Sequence, residues 1–118
     1  MKTIAIDFDN TITNSNDYPQ IGKLRTNARL TINKIIESGH EVIIWSCREA
    51  SEIERYLYEQ GIKFTTINEN TPHLIKKWGN DPRKVGADYF IDDKNLMCPL
   101  VNWLHIYGEL AMRGIIKD

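Results

Sequence analysis

An apolar run that ends in two carboxylates is the feature of this sequence that most constrains its fold. In residues 2–13, KTIAIDFDNTIT, larger and smaller side chains alternate up to Ile6 and predict a short buried strand over residues 2–6. Asp7 and Asp9 follow directly. Buried carboxylates are costly unless they are paired or bind a metal, and in open α/β sheets ligands bind outside the carboxyl ends of the strands. The stretch therefore predicts a reactive or metal-binding site at the end of a buried first strand.

The composition predicts a single globular domain over residues 1–118. The chain is 42% hydrophobic and 26% charged, which is too apolar for a disordered protein and sufficient for a core. A formal net charge of −1 gives no indication of nucleic-acid binding. The longest apolar run, residues 42–45, is far shorter than the roughly 20 residues of a membrane span, and the N-terminus does not fit a signal peptide. Two cysteines, Cys47 and Cys98, suggest reduced thiols, so a cytoplasmic location is expected.

Apolar runs alternate with helical patterns along the rest of the chain. Strands are predicted over residues 41–46, 64–67 and 87–91, and helices from residue 26, over 49–60, from 71 and over 102–114. The helix from residue 71 is expected to begin at a Thr71 cap and to carry an apolar side of Leu74, Ile75 and Trp78. The apolar residues of the last helix are Leu104, Tyr107, Leu110 and Ala111. The order of strands and helices predicts a three-layer α/β fold with a mostly parallel sheet, the first strand central and helices on both faces.

The connections between these elements are too short to hold a further folded domain. The gaps over residues 12–25 and 68–83 contain 14 and 16 residues, and fewer than about 40 residues rarely fold alone. The site is therefore expected to be open, covered at most by a flap over residues 14–25. Tyr18, Pro19 and Ile21 are expected to form the less polar face of that flap.

Polar side chains also follow the second predicted strand. Ser46 there is most simply a turn or helix-cap residue, but a hydroxyl at the end of a second parallel strand could bond an oxyanion. Arg48 could add a bidentate contact to the same anion. Cys47 is interpreted as a small buried hydrophobe and not as a nucleophile.

A second acid pair, Asp92 and Asp93, follows the last predicted strand. Alone, the pair could equally be loop acids or helix caps. With Asp7 and Asp9 expected at the same sheet edge, it indicates a metal site.

Taken in order, these features resemble the haloacid dehalogenase superfamily. The resemblance rests on an Asp-x-Asp-x-Thr run after the first strand, a Ser after the second, a Lys before the last strand and an acid pair after it. Three segments of the sequence are similar to those of small, capless, phosphatase-like members from bacteria and phages: IDFDNT, WSCRE and RKVGADYFIDDKN. Asn10 stands where many relatives have Gly, which is compatible because Asn tolerates unusual backbone angles.

The resemblance implies a Mg²⁺-dependent phosphatase that hydrolyses a phosphate monoester through an aspartyl-phosphate. Asp7 would be the nucleophile and a metal ligand, and Asp9 the general acid and then base, with its backbone carbonyl on the metal. Asp92 and Asp93 would hold the metal, one directly and one through water, in an order left open. Thr11 and Ser46 would orient the site and the phosphate, and Arg48 and Asn10 would contact the phosphate.

The resemblance also implies a catalytic lysine before the last strand. Lys84 lies eight positions before Asp92, in the phrase that matches the family, and would offset the charges of the nucleophile and phosphate. Lys76 and Lys77 are alternatives.

The sequence leaves the substrate open. A phosphorylated small molecule, with a second subunit supplying the lid of a homo-oligomer, is slightly favoured over a nucleic-acid end or a phosphoprotein. The alternative to an enzyme is a non-catalytic binding module that keeps the fold. The presence of every catalytic residue type argues against that alternative. Asp9 favours phosphoryl transfer over other chemistries of the superfamily, because it supplies the acid that an alkoxide leaving group needs.

Overall fold

The computed structural model describes residues 1–98 and 100–117, and these form an α/β domain. The elements are β1 (Thr3–Asp7), α1 (Ala28–Glu37), β2 (Glu41–Trp45), α2 (Ala50–Glu59), β3 (Thr66–Ile67), α3 (Pro72–Trp78), β4 (Tyr89–Ile91) and α4 (Trp103–Met112). None of the helices in the described part of the chain combines the length and apolarity that crossing a membrane requires.

The sheet is parallel, with strand order β3-β2-β1-β4. This confirms the predicted parallel sheet with its first strand in the interior. Ile4 lies between Val42 of β2 and Tyr89 of β4. The edge strands β3 and β4 are shorter than predicted, since each pairs with a single neighbour over two or three residues.

One face of the sheet carries most of the core. Buried isoleucines and valine of β1 and β2 pack there against α1, α2 and α4. On the other face, Ala5 and Ile43 pack against Leu74 of α3 and Val85. Helices therefore cover both faces, as predicted, but the second layer is thin.

Two predicted helix faces are wrong in part. Trp78 was expected on the apolar side of α3, but it is 56% exposed at the last residue of that helix. Its indole lies over Gly86, where a Cβ would come within 2.9 Å of Nε1. In α4, Leu104 and Ala111 were expected to face the core but are exposed. Trp103 and Leu110 are the buried residues of α4, and the anchoring of Trp103 sets the rotation of the helix.

The two long connections hold no folded insertion. Between β1 and α1 the chain forms turns and one isolated antiparallel bridge, from Thr13 to Leu24. Between β3 and β4 it forms α3 and turns. Both connections lie within the described residues, so the sheet edge that carries the acids has no cap domain over it.

Candidate active site

The polar residues that follow β1, β2 and β4 meet at one edge of the sheet, because parallel strands end together. They surround a cavity of about 310 Å³. Its lining residues are Asp7, Asp9, Asn16, Trp45, Ser46, Cys47, Asp92 and Lys94. The structure thus brings together Asp7, Asp9, Ser46 and Asp92 as the sequence predicted.

Three carboxylates converge at the floor of this cleft. One oxygen from each of Asp7, Asp92 and Asp93 lies within 4.8 Å of the other two. The Asp93 side chain is 8% exposed, and its Oδ1 is buried without a hydrogen-bond partner. An unpartnered buried carboxylate oxygen among like charges is costly. A cation would satisfy it, and hard oxygen donors are the ligands Mg²⁺ prefers, so the donor set fits this metal.

The proton equilibria of the cluster reflect the crowding of its charges. Burial raises the pKa of the Asp7 carboxyl to about 7; its hydrogen bond with Asp93 and the charges of Asp92 and Asp93 add to the effect, and a bond from Thr11 opposes it. Burial also pushes the pKa of Asp93 upward, but its interactions with Asp7, Asn10 and Asp92 and the nearby positive charge of Lys94 together outweigh burial and leave that pKa below the ordinary value. A bound cation would displace the proton from Asp7, because metals bind the ionised carboxylate.

Thr11 holds the Asp7 carboxylate in place. Its hydroxyl donates to Asp7 Oδ2 at 2.8 Å and accepts the Asp93 N–H at 3.1 Å. Thr11 is fully buried, so it orients the carboxylates and has no surface to offer a phosphate. The Nε1–H of Trp103 donates to the Thr11 carbonyl at 2.7 Å. Sequence reasoning missed Trp103, whose one signal is its place next to the helix cap Asn102.

Asn10 positions the acid pair. Its φ of 57° lies in the left-handed region, an unusual backbone conformation that Asn tolerates. Its Nδ2 donates to Asp93 Oδ2 at 3.1 Å, and its Oδ1 accepts from Arg25 Nη2 at 2.8 Å. The Asn10 amide is thus engaged by Asp93 and Arg25 and not held free for a phosphate. Arg25 carried no motif signal and was missed.

Arg48 binds a carboxylate, as its chemistry favours, but the carboxylate is one of the protein's own. Its Nε–H is shared between Asp9 Oδ1 at 3.0 Å and Oδ2 at 2.8 Å. Nη1 donates to Glu52 of α2. The expected contact with a phosphate has no support in this placement, because the guanidinium is buried and occupied.

Arg48 also binds the flap, the segment over residues 14–25. Nη1 donates to the Pro19 carbonyl at 3.1 Å and Nη2 to the Gln20 carbonyl at 2.6 Å. The guanidinium also lies 5.0 Å from the Tyr18 ring centroid. This distance is a cation–π contact. Tyr18 is 72% exposed, so the residue expected on the less polar face of the flap lies at the surface and contacts Arg48 there.

Ser46 lies where it was predicted, and Cys47 does not. The Ser46 Oγ accepts the Arg48 backbone N–H at 3.1 Å, and the Ser46 N–H donates to Asn68 Oδ1 at 2.7 Å. Cys47 is exposed on the cleft wall, so its predicted burial is wrong. The physical reason is that β2 ends at Trp45, which puts Cys47 beyond the sheet.

The lysine in the cleft is not one of those considered from the sequence. Lys84 is exposed, and its Nζ lies 5.8 Å from the Phe90 ring centroid; it is not among the described residues that line the cleft. Lys76 and Lys77 are exposed on α3. Lys94 lines the cleft, with Nζ 3.8 Å from Asp93 Oδ2. The catalytic role of Lys84 stays a prediction.

Comparisons with known proteins agree with this architecture. A family model described as haloacid dehalogenase-like hydrolase matches residues 4–77, more than half of the chain. The match includes Asp7, Asp9 and Ser46. Among solved structures, a conserved protein from Bacteroides thetaiotaomicron is similar with a TM-score of 0.80 and 31% identity, over 95% of this chain and 91% of that one. A comparison with curated proteins gives no match. The chain therefore belongs to the haloacid dehalogenase-like hydrolase family.

Proposed function

We propose that this hydrolase is a Mg²⁺-dependent phosphatase that cleaves a phosphate monoester through an aspartyl-phosphate on Asp7. The observation that carries the proposal is the cluster of Asp7, Asp92 and Asp93 at the sheet edge, with the buried Asp93 Oδ1 lacking a protein partner. Asp9 lies in the same cleft, two residues after the nucleophile.

The first step transfers the phosphoryl group to the protein. A carboxylate oxygen of Asp7 attacks phosphorus, the bond from phosphorus to the ester oxygen breaks, and Asp9 gives its proton to the leaving oxygen. The Thr11 hydroxyl restrains the rotation of the Asp7 carboxylate through its 2.8 Å bond. A fixed nucleophile matters because enzymes must accelerate phosphate monoester hydrolysis by up to about 10²¹-fold.

The second step releases phosphate. Asp9, now ionised, accepts a proton from water while the water oxygen attacks phosphorus, and the bond from phosphorus to Asp7 breaks. Inorganic phosphate leaves and both carboxyl groups return to their starting states. Bound Mg²⁺, held by Asp7, Asp92 and Asp93, would neutralise the repulsion between these carboxylates and the anionic phosphate.

For the substrate we propose a phosphorylated small molecule, with closure of the site by a second copy of the chain. The cavity of about 310 Å³ is at the lower end of the range for small ligands. Leu96 and Met97 follow the acid pair closely and are almost fully exposed, as residues at an interface between subunits would be in an isolated chain. A phosphorylated nucleic-acid end or phosphoprotein is the second candidate, because the cleft has no cap.

We place this activity in the cytoplasm, as the cysteine usage predicted. Cys47 and Cys98 are both free thiols and exposed, which suits a reducing compartment.

The deciding experiment measures turnover of an aryl phosphate by the purified protein in Mg²⁺ and in EDTA. Activity is expected in Mg²⁺ and not in EDTA, and Asp7→Asn should abolish it without lowering the melting temperature. A panel of sugar phosphates, nucleotides, 3′-phosphorylated oligonucleotides and phosphopeptides, with light scattering for mass, separates the substrate classes. A folded wild-type protein that hydrolyses none of these would favour the non-catalytic binding module.

A further inference from the structure

We propose that Arg48 is a positioning residue that couples the flap over the cleft to the general acid Asp9. The role of Asp9 as a general acid rests on the proposed phosphatase function. The coupling between Asp9 and the flap rests on the hydrogen bonds of Arg48 alone. One guanidinium binds Asp9, Glu52 and two flap carbonyls at once.

These contacts couple Asp9 to the flap because the guanidinium that makes them is buried. Arg48 is 4% exposed, so each N–H that loses its acceptor finds no water to replace it. The guanidinium is also planar, with its donors in a fixed fork. A shift of Pro19 and Gln20 therefore moves the Nε–H away from Asp9, and a shift of Asp9 strains the flap bonds. The two groups hold their positions together.

The pairing leaves Asp9 chemically competent. A single Nε–H is shared between both carboxylate oxygens, and a carboxylate has about four lone-pair sites. Either oxygen therefore keeps a site that can carry the transferred proton. Nη1 and Nη2 donate to Glu52 and to the flap, and Arg48 is not among the described residues that line the cleft. The side chain therefore acts on Asp9 and on the flap without touching the substrate.

This arrangement predicts an effect that depends on the leaving group. Arg48→Met frees the Asp9 carboxylate, and a displaced acid matters most when the leaving oxygen is basic. General acid–base catalysis contributes roughly 10²- to 10⁴-fold. We expect kcat for an alkyl phosphate such as glycerol phosphate to fall by roughly 100-fold, and kcat for p-nitrophenyl phosphate by less than about threefold. KM should change little for either substrate. Arg55→Met, an exposed arginine on α2, is the matched control and should show neither loss.

A second readout needs no activity. Hydrogen exchange of the flap peptide should be faster in Arg48→Met, and also in Asp9→Asn, which alters the far end of the coupling; Arg55→Met should match the wild type. If Arg48→Met does not fold, Arg48→Lys serves. Its single ammonium keeps the charge but cannot span Asp9 and both flap carbonyls, so the same pattern is expected at smaller size.

Three outcomes would overturn the inference. A rise in KM for both substrates, with weaker inhibition by inorganic phosphate, would make Arg48 a phosphate ligand. Equal losses of kcat on both substrates would make it merely structural. Unchanged flap exchange in Asp9→Asn would show that the two ends are not coupled. If the wild type hydrolyses neither substrate, the proposed function fails, while the exchange measurement still decides the coupling.

Discussion

The indole Nε1–H of Trp103 donates a 2.7 Å hydrogen bond to the carbonyl oxygen of Thr11, 92 residues earlier in the chain. Both residues are buried. Since the Thr11 hydroxyl in turn binds Asp7 and the Asp93 N–H, α4 supports the carboxylate cluster from behind. The last helix is therefore part of the frame of the site, although none of its residues lines the cleft.

Trp103→Phe should damage both stability and turnover. It removes the N–H donor, keeps an aromatic ring in the core and leaves the buried Thr11 carbonyl unsatisfied. The expected loss is about 1–3 kcal/mol of unfolding free energy, the cost of an unsatisfied buried polar group. In kinetics, kcat should fall more than KM rises, since the Asp7 carboxylate is less well held. Urea denaturation and aryl phosphate kinetics measure the two effects. Trp78→Phe, at an exposed tryptophan, is the control; equal losses in both variants would refute a specific role for Trp103.

Mg²⁺ should raise the melting temperature of the wild-type protein. A ligand that binds the folded state alone at 100 times its dissociation constant stabilises by about 2.7 kcal/mol. The double variant Asp92→Asn/Asp93→Asn removes two of the three converging carboxylates, and its melting temperature should respond much less. Differential scanning fluorimetry in millimolar MgCl₂ and in EDTA gives the comparison. Glu54→Gln, at an exposed acid on α2, should behave as the wild type. A wild-type melting temperature that is the same in MgCl₂ and in EDTA would argue against a metal site.

In EDTA, stability should decrease as the pH rises towards neutrality. The pKa of Asp7 is about 7 in the folded protein, against roughly 3.9 for an unperturbed aspartate. Between these values the folded state binds more protons than the unfolded state, so the contribution of Asp7 to stability is full below about pH 4 and is lost as the pH rises through 7. Urea midpoints measured from pH 5 to pH 8 should show this slope. Asp7→Asn should flatten it, and Mg²⁺ should offset it at pH 8 more than at pH 5. A slope that persists unchanged in Asp7→Asn would assign it to another group.

Asn10→Gly should weaken metal binding while sparing the backbone. Gly adopts the left-handed conformation that Asn10 holds, but it removes the amide that joins Arg25 to Asp93. Loss of a group that orients a metal ligand typically lowers metal affinity by about 10–100-fold. A Mg²⁺ titration of the melting temperature should show this shift, with the metal-free melting temperature changed much less. Asn80→Gly, in the exposed turn after α3, is the control and should leave the Mg²⁺ response of the melting temperature unchanged.

Much of the site follows from local sequence pattern. Alternating apolar residues before Asp7, and apolar runs before Ser46 and Asp92, predict strands whose ends carry polar groups. In a parallel sheet these ends meet whatever the details of packing, so the convergence of the acids required no tertiary information. The Thr71 cap, which accepts the Leu74 N–H, was likewise readable from residue type.

The tertiary structure decided which partner each long or versatile side chain finds. An arginine binds carboxylates and phosphates with the same fork, so residue type could not choose between Asp9 and a substrate for Arg48. Cys47 is exposed because β2 stops at Trp45, and strand bounds depend on the neighbouring strand. Lys94, not Lys84, lines the cleft because the turn after β4 carries it there. Trp103 and Arg25 act on the site through hydrogen bonds to Thr11 and Asn10. Sequence alone determined where charge gathers at the sheet edge, whereas the contacts that hold those charges in place span up to 92 residues and exist only once the helices have packed.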